Sequence, residues 1–267
     1  MRIELHCHST CSDGTLAADV VAARAAAAGA QLFALTDHDT CAGSTVQVPG
    51  ARNVRGVELS CDDGGRTFHV LAYDRGGDWV ALESKLDAVR EARRNRLRVM
   101  AAKLAQRGVR IDVEPLLAEA GRRSVGRPDL ARAMVAGGHA TSMKDAFSRH
   151  LFDGGPVDVP HHALPLGDAL AAGRAAGAAM SLAHPHLYGD RGASLLRKHR
   201  GDGLTGVEAF YAGYDPSERK RWLALAADLD LVCTGGSDWH GEADRGPTIE
   251  LADDRATRIL DWLDQRA

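Results

Sequence analysis

Seven short apolar runs, each of strand length, constrain this chain more than any other feature. They span residues 2–6, 32–36, 55–59, 67–73, 179–183, 206–210 and 230–234. Runs this short, bounded by turn residues, fit strands buried on both faces, as in a parallel sheet. Between them lie amphipathic or Ala-rich helices at 18–28, 166–176 and 216–229. Gly29 and Gly177 close the first two, and Asp215 with Pro216 opens the third. Strand and helix alternate, which predicts a parallel α/β barrel or sheet. The alternation stops between Asp78 and His161. There the pattern predicts one long helix over 79–107 and shorter ones over 112–120, 129–136 and 142–151. The expected division is a core of residues 1–77 and 160–267 with a helical insertion at 78–159.

With 267 residues the chain can bury a substantial core. No run of eighteen apolar residues is present, and no basic stretch followed by an apolar one opens the chain, so neither a membrane helix nor a signal peptide is expected. Five cysteines without a CxxC pair point to free thiols in a reducing cytoplasm, most of them small buried filler. Residues 80–135 hold 13 Lys and Arg against 7 Asp and Glu, a surplus of +6 that leaves the remainder at −9 within a net charge of −3. A basic segment beside an acidic remainder suits a substrate carrying several negative charges.

The strand ends carry the chemistry. The first runs into His6-Cys7-His8, where extended geometry puts both imidazoles on one face and Cys7 on the other. Asp13 follows in the next loop. The second strand ends in Thr36-Asp37-His38-Asp39, the third holds Glu58, and the fourth holds His69 near its start. Later strands lead into Ala183-His184-Pro185 and Gly236-Ser237-Asp238-Trp239-His240. In α/β barrels catalytic groups gather where strands end, and six of the twelve histidines fall in this set. Mixed imidazole and carboxylate donors suit Mn²⁺, Zn²⁺ or Fe²⁺. The donors exceed what one ion can use, so two or three are expected, with Glu58 able to bridge. Paired ions activate a water as hydroxide and clamp both oxygens of a displaced phosphate ester. Phosphoester hydrolysis therefore ranks first.

Taken together, these motifs resemble the PHP (polymerase and histidinol phosphatase) family from one end of the chain to the other. The resemblance implies a distorted (β/α)7 barrel with a trinuclear centre. It implies His6, His8, Glu58 and Asp238 at the first metal, Glu58, His69 and His184 at the second, and Asp13, His38 and His240 at the third. Mn²⁺ is the expected ion. Asp37 is implied to orient a ligand, and Asp37 and His184 are the candidates for direct catalytic participation.

The insertion narrows the reading. Ser124-Val125-Gly126-Arg127-Pro128-Asp129-Leu130-Ala131-Arg132 resembles the stretch that marks PHP enzymes removing the 3′-phosphate from nucleoside 3′,5′-bisphosphates. A guanidinium fork such as that of Arg127 matches a phosphate through two bonds, and Ser124 adds a hydroxyl donor. The expected reaction is hydrolysis of that 3′-phosphate by metal-bound hydroxide, giving a nucleoside 5′-monophosphate. The alternatives are 5′→3′ exonuclease action on short RNA, another phosphoesterase activity such as histidinol phosphatase, or a non-catalytic PHP module. The partners expected are a small phosphorylated nucleotide and, under the second reading, short RNA. No membrane and no obligate protein partner are expected. Three features depart from the pattern. Asp129 stands where the pattern has His and brings a carboxylate near the phosphate pocket. His186-Leu187-Tyr188 stands where a basic residue is expected after the His-Pro pair. The 40–55 connection is too short for a full helix.

Overall fold

The computed structural model describes residues 1–242 and 246–265. Two sheets make up its centre. One has four strands in the order β10-β1-β2-β3, formed by Ile249–Glu250, Arg2–Glu4, Leu32–Phe33 and Arg52–Asn53. The other has six in the order β6-β4-β5-β7-β8-β9, formed by Leu164–Pro165, Gly56–Asp62, Thr67–Asp74, Ala178–Leu182, Leu204–Tyr211 and Val232–Gly236. All seven expected strands are present, several with shifted ends. The short strands β3, β6 and β10 are additional. Their two-residue pairings leave no periodicity in the sequence to read.

The expectation of an all-parallel arrangement is corrected at β5. It runs antiparallel to both neighbours, with Glu58 opposite Leu71 and Val70 opposite Leu182. Its connection from β4 is the tight turn 63–66, too short for the crossover that a parallel pair needs. The reversal has a consequence for the site. The start of β5, where His69 lies, falls beside the C-terminal ends of β4 and β7. Ser60 pairs with His69, and Ala183 N–H donates to the His69 carbonyl. Two isolated parallel bridges join the sheets, Cys7 with Trp239 and His38 with Glu58.

The helices follow their apolar spacing. α1 (Ala18–Ala27), α6 (Leu166–Ala175) and α8 (Pro216–Leu229) pack on the sheets. The Asp215 side chain caps α8 by accepting from the Ser217 and Glu218 amides at 2.8 and 2.9 Å. α7 (Asp190–His199) and α9 (Asp253–Asp264) were not expected. No helix joins β2 to β3, in line with the short 40–55 connection. The long helix is α2 (Val80–Gln106), which buries Leu82, Leu86, Val89, Leu97, Met100 and Leu104 at helical spacing. Its second half joins α3 (Glu114–Glu119), α4 (Arg127–Ala136) and α5 (Met143–Ala146) around a separate apolar cluster of Leu97, Leu117, Leu130, Met134 and Leu151. The helix expected over 142–151 is split, with a π-helical turn at Phe147–Leu151 after α5. No described helix is long and apolar enough to cross a membrane.

Candidate metal centre

Nine side chains converge from the segments that follow β1, β2, β7 and β9, from Glu58 within β4, and from the start of β5. His6, His8, Asp13, His38, Glu58, His69, His184, Asp238 and His240 fall into four overlapping groups of donor atoms, each group compact enough to hold an ion. These are the nine predicted ligands. Glu58 lies at the centre. Its Oε2 is 3.3 Å from His6 Nε2, 3.2 Å from His8 Nε2 and 2.9 Å from His38 Nδ1. Its Oε1 is 2.9 Å from His69 Nδ1 and 3.0 Å from His184 Nε2. Asp238 Oδ1 lies 3.1 Å from His8 Nε2, and Asp13 Oδ1 lies 3.4 Å from His240 Nε2.

The donors fit divalent ions. His6 Nε2, His8 Nε2, His38 Nδ1 and Glu58 Oε2 are all buried and make no hydrogen bond. Buried polar atoms are rarely left so, because each forfeits its hydration for nothing. Four such atoms facing one another are what an ion's first shell requires. The electrostatics agree. Burial opposes the charge on Glu58 and Asp238, yet the surrounding imidazoles hold both carboxyls well below the usual carboxylate range. Burial likewise opposes charge on His8, but the adjacent Asp238 and Glu58 carboxylates push it up to about 10.

The backbone is bent to bring these groups together. Among the described residues four non-glycines have positive φ, and three of them, Asp39, His184 and Asp238, stand at this site. Such strain persists only where surrounding contacts hold it. Cys7 points away from its neighbouring histidines into an apolar cluster with Val21, Phe33 and Leu35, as the alternation of a strand requires. Asp37 joins none of the donor groups. Its Oδ1 accepts from Ser9 N–H at 2.7 Å and Ser12 Oγ at 2.6 Å, and its Oδ2 accepts from Ser9 Oγ at 2.7 Å. It therefore anchors the loop that leads to Asp13.

A cavity of about 780 Å³ opens onto the cluster. Asp13, His38, His69 and His184 line it on one side, and Ser124, Arg127, Arg93, Arg96 and His161 on another. Ser124 is buried, with its Oγ unpartnered. Arg127 reaches the Leu151 carbonyl at 3.2 Å and Asp153 at 2.5 Å. Asp129 does not itself line this cavity, though its neighbours Gly126, Arg127 and Pro128 do. It is buried at the start of α4, where Oδ2 accepts from Gly126 N–H and Oδ1 pairs with Arg123 and Arg132. Those arginines donate to the carbonyls of Ser12 and Asp13.

Several residues at the site were not anticipated. Tyr188 Oη accepts from His69 N–H at 2.9 Å and lies 3.2 Å from His184 Nδ1. Arg93 Nε donates to Asp39 Oδ2 at 2.8 Å. Tyr211 Oη donates to Asp238 Oδ2 at 3.1 Å. Glu4, fully buried, accepts from the His6 and Ser237 amides and from Ser237 Oγ, and burial pushes its carboxyl up to about 7. Glu208, also fully buried, contacts His6 and His184. A signal for both carboxylates was present, since an acidic residue inside a buried apolar run must have partners. Glu208 even repeats the Gly-Val-Glu of residues 56–58.

No protein-family model matches the chain. Individual proteins do. It is 30% identical over 263 residues to the 3′,5′-nucleoside bisphosphate phosphatase of Chromobacterium violaceum, covering 94% of this chain and 92% of that one. It is 32% identical to the phosphoribosyl 1,2-cyclic phosphate 1,2-diphosphodiesterase of Eggerthella lenta, over 92% of this chain and 97% of that one. It is 29% identical to a 5′-3′ exoribonuclease of Haemophilus influenzae, over 94% and 96%. Among solved structures, one described as a candidate metal-dependent phosphoesterase from Bifidobacterium adolescentis superposes with a TM-score of 0.85 at 30% identity, over 97% of this chain and 95% of that one. A Chromobacterium violaceum amidohydrolase with bound sulfate superposes with a TM-score of 0.81 at 29% identity, over 96% of each. With its buried donor clusters and these full-length relatives, the chain belongs to the PHP-type metal-dependent phosphoesterases and is a hydrolase.

Proposed function

We propose that this enzyme removes the 3′-phosphate of a nucleoside 3′,5′-bisphosphate and leaves the nucleoside 5′-monophosphate. The observation that carries this reading is a single cavity faced by both the donor cluster and an anion-binding pair. Asp13, His38, His69 and His184 border it from the cluster, Ser124 and Arg127 from the helical segment. The name of the Chromobacterium relative supports the same substrate class.

His6, His8, Glu58 and Asp238 would hold one ion, Glu58, His69 and His184 a second, and Asp13, His38 and His240 a third. Mn²⁺ is the expected identity, with Zn²⁺ or Fe²⁺ as alternatives for the same donors. When bound, such ions supply an activated water and neutralise charge developing on the phosphoryl group. The protein's own contribution is alignment. Arg127 and Ser124 hold the phosphate that does not react, so the ester is fixed against the cluster and the step becomes effectively unimolecular. Of the two candidate catalytic residues, His184 borders the cavity. Asp37 acts through the 9–12 loop as a positioning residue.

The two sheets are read as one distorted seven-stranded barrel. The Cys7–Trp239 and His38–Glu58 bridges connect β1 to β9 and β2 to β4, completing a circuit β1-β2-β4-β5-β7-β8-β9. Residues 78–159 then form a cap over its open end. All five cysteines are free, which favours a reducing, cytoplasmic setting.

The pocket assignment is tested by selectivity. Arg127→Ala is expected to lower kcat/KM on adenosine 3′,5′-bisphosphate by roughly 10–100-fold, the loss of one charge-assisted bond pair. Turnover of a simple aryl phosphate should change little. Equal losses on both substrates would remove Arg127 from the pocket. A second reading, 5′→3′ cleavage of short RNA, draws on the size of the cavity and on the basic wall of Arg93 and Arg96 beyond the cluster. A 5′-phosphorylated trinucleotide cleaved faster than the bisphosphate would favour it.

A further inference from the structure

Glu208 stands in the middle of β8, fully buried, with one partner for each oxygen. Oε1 is 2.9 Å from His6 Nδ1. Oε2 accepts the His184 backbone N–H at 2.6 Å. Its two partners belong to one donor group, the one formed by His6, Glu58 and His184. We propose that Glu208 is a positioning residue that ties this group together by fixing the tautomer of His6 and the backbone of His184. The inference rests on the reading of the cluster as a metal centre.

An ionised carboxylate only accepts, so the proton of the His6–Glu208 bond sits on His6 Nδ1. An imidazole that holds a metal is neutral and carries one proton, so with that proton on Nδ1 the Nε2 atom presents its lone pair. That atom is the buried, unpartnered nitrogen directed at Glu58 Oε2, 3.3 Å away, and Asp238 Oδ1, 3.4 Å away. The second oxygen works on the backbone. His184 has φ of 26° and ψ of 57°, an unfavourable conformation for a residue with a Cβ. A short bond from its own N–H helps to hold it there. Carboxylates behind metal-bound imidazoles set ring orientation and tautomer in this way generally. Here one carboxylate does so for a side chain on one strand while pinning the main chain at the end of another.

The isosteric amide makes a sharp test. In Glu208→Gln the His184 N–H still needs an acceptor and takes the amide oxygen. The NH₂ then faces His6 Nδ1, which must accept. Its proton shifts to Nε2 and blocks the atom directed at the cluster. Turning the amide over would set N–H against N–H at His184. Size is unchanged, so a packing role predicts no loss of metal.

The experiment compares metal-free wild type and Glu208→Gln by calorimetric titration with Zn²⁺ and Mn²⁺, elemental analysis after dialysis, and thermal unfolding with and without metal. Metal affinity is expected to fall 10–100-fold, while the metal-free unfolding midpoint moves by a few degrees at most. Wild-type affinity and stoichiometry in the variant would overturn the proposal. So would a lower metal-free midpoint with an unchanged metal-induced rise. A second measurement does not depend on the variant folding. In Zn²⁺-loaded wild type, ¹⁵N NMR of the side chains should show His6 protonated at Nδ1, and coordination through Nδ1 would overturn the assignment. Absence of phosphatase activity in a chain that binds metal as described would refute the proposed function and leave this inference standing.

Discussion

At the scale of single residues, the site is a problem of burying charge. Glu4, Glu58 and Glu208 lie inside apolar strands; Glu4 and Glu208 have both oxygens engaged by hydrogen-bond partners that the fold delivers, while Glu58 is ringed by imidazole nitrogens. Only Glu58 was read from the sequence as functional, because it sits beside histidine-bearing motifs. The other two touch the cluster through backbone amides and, for Glu208, through His6 Nδ1, contacts that no short motif announces. Gly236 shows how closely the strands approach. A Cβ there would overlap His6 Cβ and its backbone nitrogen and crowd Glu4 Oε1. Gly236→Ala is therefore expected to push β1 away from β9. It should cost about 1–3 kcal/mol of stability and weaken metal binding together. Urea unfolding and a metal titration on the same variant check this. Loss of stability with intact metal affinity would show that His6 is placed independently of β9.

At the scale of elements, two pieces matter most. The reversal of β5 brings His69 to the cluster, and it was legible only in part. The residue could be picked out, but its place early in a strand contradicted a parallel arrangement. The four-residue turn at 63–66 was the clue that resolves this. α4 is the second piece. Asp129 closes its first turn and gathers Arg123 and Arg132, which hold the Ser12 and Asp13 carbonyls. The substitution that looked like a departure from the family pattern thus fastens the helical segment to the loop carrying Asp13. Asp129→Ala removes a cap and leaves two arginines without their buried partner. The expected cost is about 2–3 kcal/mol, kept below that of a fully buried pair by the exposure of both arginines. Urea unfolding measures it, and a change under 0.5 kcal/mol, the ordinary effect of a surface substitution, would refute the role. Strand and helix positions were otherwise readable from period and turn residues. α7 and α9 were missed although each buries one apolar face at helical spacing, and neither carries a residue that a site motif singles out.

At the scale of the molecule, a negatively charged α/β core offers the donor cluster, and a more basic helical segment offers Ser124 and Arg127 across the same cavity. The nine candidate donors were legible because most fall in short motifs just beyond strands, with Glu58 and His69 inside them. Their convergence on one cluster, and the cavity that unites them with the helical segment, depend on contacts between residues more than two hundred positions apart. Four orphaned donor atoms at the centre imply that metal and fold stabilise each other. An ion at 100 times its dissociation constant adds about 2.7 kcal/mol, or roughly 5–10 °C in Tm for a chain of this size. Chelation should lower Tm by that amount, and Mn²⁺ should restore it. An unchanged Tm would argue against ions at the cluster. The measurement closest to the central claim is phosphate release from adenosine 3′,5′-bisphosphate by Mn²⁺-loaded protein, with the nucleotide product identified. Adenosine 5′-monophosphate is the expected product, formed well above the rate for a simple aryl phosphate. Adenosine 3′-monophosphate as product, or no release from protein with its metals bound, would contradict the claim.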